Sequence, residues 1–225
     1  FFEMNNNKFN DLFVLDLANN HFGDVNHAKK IIKKFAKVAI KNKVKTAIKF
    51  QLRDYETFIH KKFVNSENKY VRRFLDTKLD ISQFKTLFNY VKKNKLLTAC
   101  TPFDENSVKV IEELNFDFLK IASVSSNDFR LLKRAIKNKI PKIISTGGLD
   151  LYGIDKIARL MKKYNQKYSF MHCISIYPSR DFDLQIDFIK SMKKRYPDVP
   201  IGWSTHENPG SFMPSSLARA CGAEI

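Results

Sequence analysis

Hydrophobic and polar positions along the chain alternate with two different periods. Short apolar or β-branched runs predict β-strands, and longer stretches with an apolar residue every three or four positions predict amphipathic helices. The predicted strands are residues 12–17, 44–50, 96–100, 116–122, 142–145, 169–174 and 201–204. The predicted helices are residues 26–41, 81–93, 106–114, 129–137, 152–164, 184–195 and 214–220. An eighth strand is predicted to begin at Ala223.

This alternation predicts an α/β protein with parallel strands, either an open doubly wound sheet or a closed barrel. In a doubly wound sheet the functional residues lie at one switch point, whereas here almost every predicted strand ends in reactive or polar side chains. These are Asp16, Asn20, His21, Lys49, Gln51, Thr101, Lys120, Ser123, Ser145, Thr146, Gly147, Ser175, Tyr177, Ser204 and His206. Such a ring favours a TIM (β/α)8 barrel, a single domain over residues 1–225 that stops at the start of its eighth strand.

Composition supports a globular protein with a substantial core, since 44% of the residues are hydrophobic and 28% are charged. No apolar run approaches the roughly 20 residues that span a bilayer, and the start FFEMNNNKF lacks the order of a signal peptide. We therefore expect a cytoplasmic protein without a membrane partner. Cys100, Cys173 and Cys221 form no C-x-x-C pair, so small core residues are expected instead of disulfides or a zinc site.

The net charge of +17 raises the alternative of nucleic-acid binding. The excess is mostly lysine along helical stretches such as KKIIKKFAKVAIKNK, without interleaved arginines and exposed aromatics. That pattern is typical of the solvated faces of amphipathic helices. We expect no nucleic-acid partner, and long-range attraction of anionic substrates is the simpler use of the charge.

The longest predicted connection, residues 52–80, contains RDYETFIHKKF and KYVRRFLDT. A connection of this length in a compact barrel is usually a lid, a substrate-binding loop or a partner surface. The chain has no G-x-G-x-x-G and no G-x-x-x-x-G-K-[ST] string, so neither a dinucleotide site nor a P-loop is predicted.

Two lysines at the ends of apolar strands, Lys49 in IKFQ and Lys120 in LKIAS, predict an anionic ligand, because a lone buried ammonium is costly. The STGG turn at 145–148 can add backbone N–H groups for a phosphate. Hydroxyl donors at the same strand ends are Thr101, Ser123, Ser145 and Ser204. Together they suit a small molecule with a carboxylate and a phosphate. For any single residue, a helix cap or a lysine reaching solvent remains an alternative.

The histidines and one aspartate have different contexts. His206 in GWSTHE follows a strand and could bind a metal, and His21 lies in the connection after the first strand. His172 lies within a strand and is expected in the core, while surface positions are expected for His27 and His60. Asp16 could be a general base or only a cap of the following turn.

The strings ANNHFGD, AIKFQ, TPFD, LKIAS, IISTGG, MHCISIYPS and IGWSTHE cover nearly the whole chain, and their order makes the set specific. With them the chain resembles the sialic acid synthase (N-acetylneuraminate synthase) family, which includes legionaminic and pseudaminic acid synthases and some spore-coat polysaccharide proteins. The resemblance implies a TIM-barrel transferase that condenses phosphoenolpyruvate with an open-chain N-acetylated aminosugar such as N-acetylmannosamine. The products are a nonulosonic acid and phosphate.

The resemblance also implies a divalent metal, Mn²⁺ or Mg²⁺, that polarises the sugar aldehyde, and a homodimer of the full-length protein. Carried over by motif, Asp16, Lys49 and Lys120 are the catalytic candidates, and His206 is one of two metal-binding histidines. The substrate-binding candidates are Gln51, Thr101, Ser123, Ser145, Ser175, Tyr177 and Ser204.

Departures from the family pattern concern the acceptor sugar more than phosphoenolpyruvate. Asp16 stands where the family usually has glutamate, and Thr205 where aspartate is usual. Ser125 replaces an acidic residue and Ser175 an asparagine. The end CGAEI resembles the start of the last strand, and neither the E-[KR]-H-F run with the second metal histidine nor the antifreeze-like domain follows it. A fragment with weak metal binding and little activity is therefore expected.

Two other functions remain open from the sequence. Deoxy-octulosonate phosphate and deoxy-heptulosonate phosphate synthases are barrels that also condense phosphoenolpyruvate, although the YP and TPF strings favour the sialic acid side. A divergent barrel without catalysis, acting as a sugar-binding or assembly protein, is the other alternative.

Overall fold

A computed structural model of the chain describes residues 8–208 and 210–225. Within these residues seven β-strands alternate with nine α-helices. The strands are β1 (Leu12–Asp16), β2 (Lys45–Leu52), β3 (Leu97–Pro102), β4 (Phe118–Ile121), β5 (Lys142–Ser145), β6 (Tyr168–Cys173) and β7 (Ile201–Ser204). The helices are α1 (Val25–Asn42), α2 (Tyr55–Phe58), α3 (Lys69–Asp76), α4 (Ile81–Lys93), α5 (Glu105–Glu113), α6 (Phe129–Ala135), α7 (Leu151–Lys163), α8 (Phe188–Arg195) and α9 (Met213–Ala220).

The α/β alternation predicted from the sequence is confirmed. Two strands and one helix have the predicted bounds, namely β5, β7 and α4, and the remaining predicted strands agree to within two residues at each end. Helix starts are well defined because an aspartate caps each of four helices. Asp24, Asp80, Asp104 and Asp150 accept hydrogen bonds from the first-turn N–H groups of α1, α4, α5 and α7.

The structure shortens one predicted helix and adds two helices that were not predicted. The helix predicted over residues 184–195 begins only at Phe188, because Gln185 has a φ of 46° that no helix residue adopts, and a short 3₁₀ turn precedes it at Asp181–Asp183. The connection over residues 52–80 is not a plain loop, since it contains α2 and α3. Side chains of Asp54 and Asn68 cap these two helices.

The chain forms two compact units, and the first consists of Phe13–Lys120 and Phe129–Pro141. Its strands lie in the order β1, β2, β3, β4. β2 and β3 are parallel, with Ala47 opposite Leu97 and Gln51 opposite Thr101. The side chains of β4 are all buried, and α1 buries one residue per turn, as expected of an amphipathic helix.

The second unit consists of residues 8–12, Ile121–Asp128 and Lys142–Ile225. Its strands lie in the order β5, β6, β7 and are parallel, and Cys173 lies opposite Ser204. The last residues pair on both sides like a strand. The N–H of Glu224 donates to Ile201 O at 2.8 Å, and Glu224 O accepts from the N–H of Leu12 at 3.3 Å. This pairing is what the strand predicted from Ala223 requires.

In the part of the chain that the structure describes, no helix combines the length and the apolar composition needed to span a bilayer.

Candidate active site

Predicted site residues of the first unit lie at the carboxyl ends of neighbouring strands. Asp16 ends β1, and Lys49 and Gln51 lie in the second half of β2. Gln51 is opposite Thr101 in the sheet, so these two side chains lie at the same level. Cys100 is opposite Leu119, and the next residues on β3 and β4 are Thr101 and the buried Lys120. One end of this sheet therefore carries the polar groups.

Asp16 and Lys49 form an ion pair, with 2.9 Å between Asp16 Oδ2 and Lys49 Nζ. The other carboxylate oxygen, Oδ1, accepts a hydrogen bond from the N–H of Ala18 at 3.0 Å. Asp16 is thus the anionic partner that the strand-end Lys49 requires, and it also caps the turn that follows β1. The Asp16 side chain is 42% exposed, so its carboxylate is still accessible.

Arg53 contributes a buried guanidinium that the sequence analysis did not single out. It donates a hydrogen bond from Nη2 to Gln51 Oε1 at 2.8 Å. Its Cζ lies 4.0, 4.5 and 5.4 Å from the ring centres of Phe103, Phe74 and Phe58. Burial lowers the pKa of Arg53, which remains a cation at neutral pH. No local signal in the sequence marks this residue, because Phe74 and Phe103 are remote from it along the chain.

Predicted site residues of the second unit surround Gly147. A Cβ atom placed on Gly147 would collide with Ser175 Oγ and would lie 2.8 Å from Ser123 Oγ and 3.0 Å from Cys173 O. Two hydroxyls therefore converge on a position that only glycine leaves open. The N–H groups of Gly147 and Gly148 have no hydrogen-bond partner within the described residues. Hydroxyls and unpaired N–H groups in one place are suited to bind an anion.

Three further predicted residues complete this part of the site. Ser145 ends β5 and is buried, and Ser204 ends β7 opposite Cys173. Tyr177 is 73% exposed, and its ring centre lies 4.0 Å from that of His206. The exposed tyrosine and the half-buried histidine thus stack at the edge of the site.

The imidazole of His206 has a defined tautomer. Its Nδ1 lies 2.6 Å from the carbonyl oxygen of Ile174, which can only accept, so Nδ1 carries the proton. The lone pair therefore lies on Nε2, the usual arrangement for a histidine ligand whose other nitrogen is anchored. Cys173 Sγ is 3.9 Å from the same Nδ1.

Glu207 adds an orphaned carboxylate next to His206 in the sequence. Both carboxylate oxygens are buried and make no hydrogen bond within residues 8–208 and 210–225. A buried carboxylate without a partner is costly unless a cation or water satisfies it. A carboxylate is a ligand type that suits Mn²⁺ or Mg²⁺, whereas an imidazole nitrogen suits transition-metal ions better than Mg²⁺. Within the described ranges no group of three or more His, Cys, Asp or Glu side chains could hold a metal, so the protein groups present would supply only part of a coordination shell.

The other histidines have structural environments. His172 is buried, as predicted, and its Nε2 is 2.9 Å from Leu184 O, while its ring packs on Phe188 and Trp203. Burial lowers the pKa of His172. His21 is also buried, and its Nδ1 accepts from the N–H of Gly23 at 3.1 Å, so it stabilises the turn after β1.

All three cysteines are free, as expected from their spacing. Cys100 and Cys173 are buried and Cys221 is half-buried. Burial raises the pKa of the Cys100 thiol well above its usual value, so it is an inert core residue. Cys173 differs because Ser123 Oγ lies 3.4 Å from its sulfur.

The first unit also has a cavity of about 380 Å³ beside Arg53. Its walls come from residues 52–56, from residues 78–81 and from the start of α5. None of the predicted site residues lines this cavity. The cavity meets the strand ends through Arg53, which lines it and donates to Gln51.

The chain matches a known protein family. The NeuB family model matches residues 35–225. The chain is 28% identical over 220 residues to N-acetylneuraminate-9-phosphate synthase from Mus musculus, an alignment that covers 94% of this chain and 59% of the mouse protein. The chain thus spans less than two thirds of that relative.

Two solved structures share the fold. One is a candidate spore coat polysaccharide biosynthesis protein E from Chromobacterium violaceum, with a TM-score of 0.92 and 37% identity over 96% of this chain and 64% of that chain. The other is N-acetylneuraminic acid synthetase from Leptospira borgpetersenii in complex with citrate, with a TM-score of 0.83, 28% identity and coverage of 96% and 71%. The predicted TIM-barrel class and the predicted resemblance are confirmed. The chain belongs to the NeuB family.

Proposed function

We propose that this chain carries the barrel of an enzyme that condenses phosphoenolpyruvate with an N-acetylated aminosugar to give a nonulosonic acid and phosphate. The observation that carries the proposal is the cluster at Gly147, where Ser123 Oγ and Ser175 Oγ lie close to the glycine and where the N–H groups of Gly147 and Gly148 have no hydrogen-bond partner within the described residues. Family membership supports the same chemistry, because the named relatives include sialic acid synthases.

Phosphoenolpyruvate needs cations and hydroxyls, and both occur at the strand ends. Within the first unit the groups proposed to bind a carboxylate or phosphate are Lys49, Lys120 and Thr101. Within the second unit, considered by itself, they are Ser123, Ser145, Tyr177 and Ser204, with Ser175 as a further substrate-binding candidate. Charge-assisted hydrogen bonds from these groups to carboxylate and phosphate oxygens are stronger than neutral ones. Gln51 is proposed to contact the acceptor sugar.

His206 is the proposed holder of a divalent metal, Mn²⁺ or Mg²⁺, with Glu207 as an additional candidate. The metal would polarise the aldehyde of the acceptor, which makes its carbon a better target for C3 of phosphoenolpyruvate. The chain's contribution is the anchored imidazole, whose Nδ1–H···O bond to Ile174 fixes the tautomer in which Nε2 carries the lone pair.

Asp16 is the proposed acid–base group. After C3 attacks the aldehyde, water adds at C2 and loses a proton before phosphate leaves, and an exposed carboxylate held by Lys49 can accept that proton. Aspartate is one methylene shorter than the glutamate usual in the family, so Asp16→Glu is expected to raise turnover.

A second candidate function rests on the same residue. Asp16 is already engaged by Lys49 and by the N–H of Ala18, as expected of a purely structural aspartate. A barrel without catalysis that binds sugar would show no change of activity in Asp16→Glu, which distinguishes the two functions.

Calorimetric titration of phosphoenolpyruvate tests the donor site. Lys120→Ala is expected to abolish binding, because Lys120 is buried at the end of β4. The matched control is Lys163→Ala, which removes an exposed lysine at the end of α7 and is expected to bind like the parent protein. Equal effects of both substitutions would reject the site assignment, and no binding by the parent protein would reject the proposed function.

A further inference from the structure

We propose that Arg53 is a positioning residue that orients the side-chain amide of Gln51 toward the acceptor sugar. The inference rests on the proposed function, in which Gln51 contacts that sugar. The proposed function assigns roles to the strand-end residues and to His206, and none of these roles includes Arg53.

The guanidinium of Arg53 is fixed by three separate segments of the first unit. Phe58 comes from α2, Phe74 from α3, and Phe103 follows β3. The three rings lie 5.4, 4.5 and 4.0 Å from Arg53 Cζ, within the range of cation–π attraction. Phe58 also packs edge-on against both other rings, at 5.6 Å and 5.9 Å. The rings therefore form a rigid aromatic cage around the cation.

Inside this cage Arg53 has few polar partners. It forms no ion pair within the described part of the chain, and its Nε is buried without a hydrogen-bond partner there. Its one side-chain hydrogen bond goes to Gln51 Oε1. Loss of that hydrogen bond would leave another donor of a buried cation without a partner, which is costly. The bond between Arg53 and Gln51 is therefore strongly favoured.

The bond determines which end of the Gln51 amide is free. Since Oε1 accepts from Arg53, Nε2 and its two hydrogens are turned away from the cation. Nε2 has no hydrogen-bond partner among the described residues. Gln51 therefore presents two N–H donors, at the level of Thr101, to a hydroxyl or carbonyl oxygen of the acceptor.

Lysine could not replace arginine in this role. The planar guanidinium stacks on rings and donates in a fixed direction, whereas an ammonium is a compact, strongly hydrated point charge. Arg53→Lys is thus expected to keep the charge but lose the fixed direction of the hydrogen bond.

The first readout does not depend on activity. In a ¹⁵N-labelled protein the Gln51 side-chain amide signals are assigned from their absence in Gln51→Ala. Arg53→Met is expected to move them to the positions of a free glutamine, and Arg53→Lys to move them part of the way. Lys61→Met, an exposed position in the same connection, is the matched control and is expected to leave them in place. Unchanged signals in Arg53→Met would overturn the proposal.

The second readout separates positioning from general damage. Arg53→Met is expected to raise KM for N-acetylmannosamine at least tenfold while the Kd for phosphoenolpyruvate stays within twofold. Adding Arg53→Met to Gln51→Ala is expected to raise KM no further. Equal losses for both substrates would mean a structural role and would overturn the inference. If neither the parent protein nor a version extended through its natural C-terminus turns over an aminosugar, the proposed function fails, and the amide signals alone decide the role of Arg53.

Discussion

Substitution of Gly147 by alanine is the sharpest perturbation of the proposed anion site. The new methyl group would collide with Ser175 Oγ and lie 2.8 Å from Ser123 Oγ. Gly147 does not adopt the left-handed region, so alanine adds no backbone strain of that kind. The substitution therefore acts on the two hydroxyls and the space between them.

The size of the effect follows from the hydrogen bonds that are lost. A hydrogen bond to a charged group contributes about 1.5–3 kcal/mol. Displacing both hydroxyls from a bound anion would cost about 3–6 kcal/mol, which is roughly a 150-fold to 20,000-fold loss of affinity. The added methyl group is also expected to lower the free energy of unfolding by about 1–3 kcal/mol, because it overpacks the folded protein.

Calorimetric titration of phosphoenolpyruvate measures the loss, and thermal unfolding shows that the variant is still folded. Gly148→Ala is the matched control. Gly148 has a φ of 77° and open space around its Cβ position, so alanine there strains the backbone without touching either hydroxyl. Its binding is expected to fall much less than that of Gly147→Ala. If folded Gly147→Ala bound phosphoenolpyruvate like the parent protein, the anion site would not lie at these hydroxyls.

Further predictions concern stability. Hydrogen bonds from Arg195 and a tyrosine lower the pKa of Asp155 to about 2, so the stability that this carboxylate contributes is present above about pH 4 and is lost as the pH falls toward 2. After discounting for solvent screening, Asp155→Asn is expected to lower the free energy of unfolding in urea by about 1 kcal/mol at pH 7. A difference between the two proteins that persists undiminished near pH 2.5 would contradict this. Burial lowers the pKa of His172, so as the pH falls the unfolded chain takes up a proton on this histidine before the folded protein does, and the free energy of unfolding is expected to fall below about pH 6.5. His172→Gln, which can still donate to Leu184 O, should flatten this pH dependence. Unfolding curves at pH 5.5 and 7.5 measure it. Phe118→Ala in fully buried β4 is expected to cost about 3–5 kcal/mol, and a loss below 1 kcal/mol would contradict its place in the core.

Local patterns were sufficient for most of the fold. The run KIIS at β5 and the run IGWS at β7 are short, apolar and bounded by prolines or turn residues, so both strands could be placed to the residue. The helix predicted from residue 184 was too long because Leu184 and Phe188 have helical spacing. The turn at Gln185 depends on backbone geometry that spacing does not reveal.

The candidate site was partly accessible to the same reasoning. Hydroxyls and lysines at strand ends, such as Lys49 and Ser123, follow from topology, because carboxyl ends of parallel strands lie on one side of a sheet. The role of Arg53 depends on Phe74 and Phe103, which are remote in sequence and become neighbours only on folding. No single-sequence pattern contains such a long-range contact.

The hydrogen bond from Leu12 to Glu224 O has a consequence for synthesis on the ribosome. Every residue of the first unit is available once Pro141 has been added, whereas the second unit needs both Leu12 and the last residues. At about 5–20 residues per second, translation from residue 141 to residue 225 lasts roughly 4–17 s. During that interval the nascent chain holds a complete set of residues for one unit and an incomplete set for the other. Substitutions in the first unit therefore act on the growing polypeptide before those at Glu224, which act only after that residue has been added.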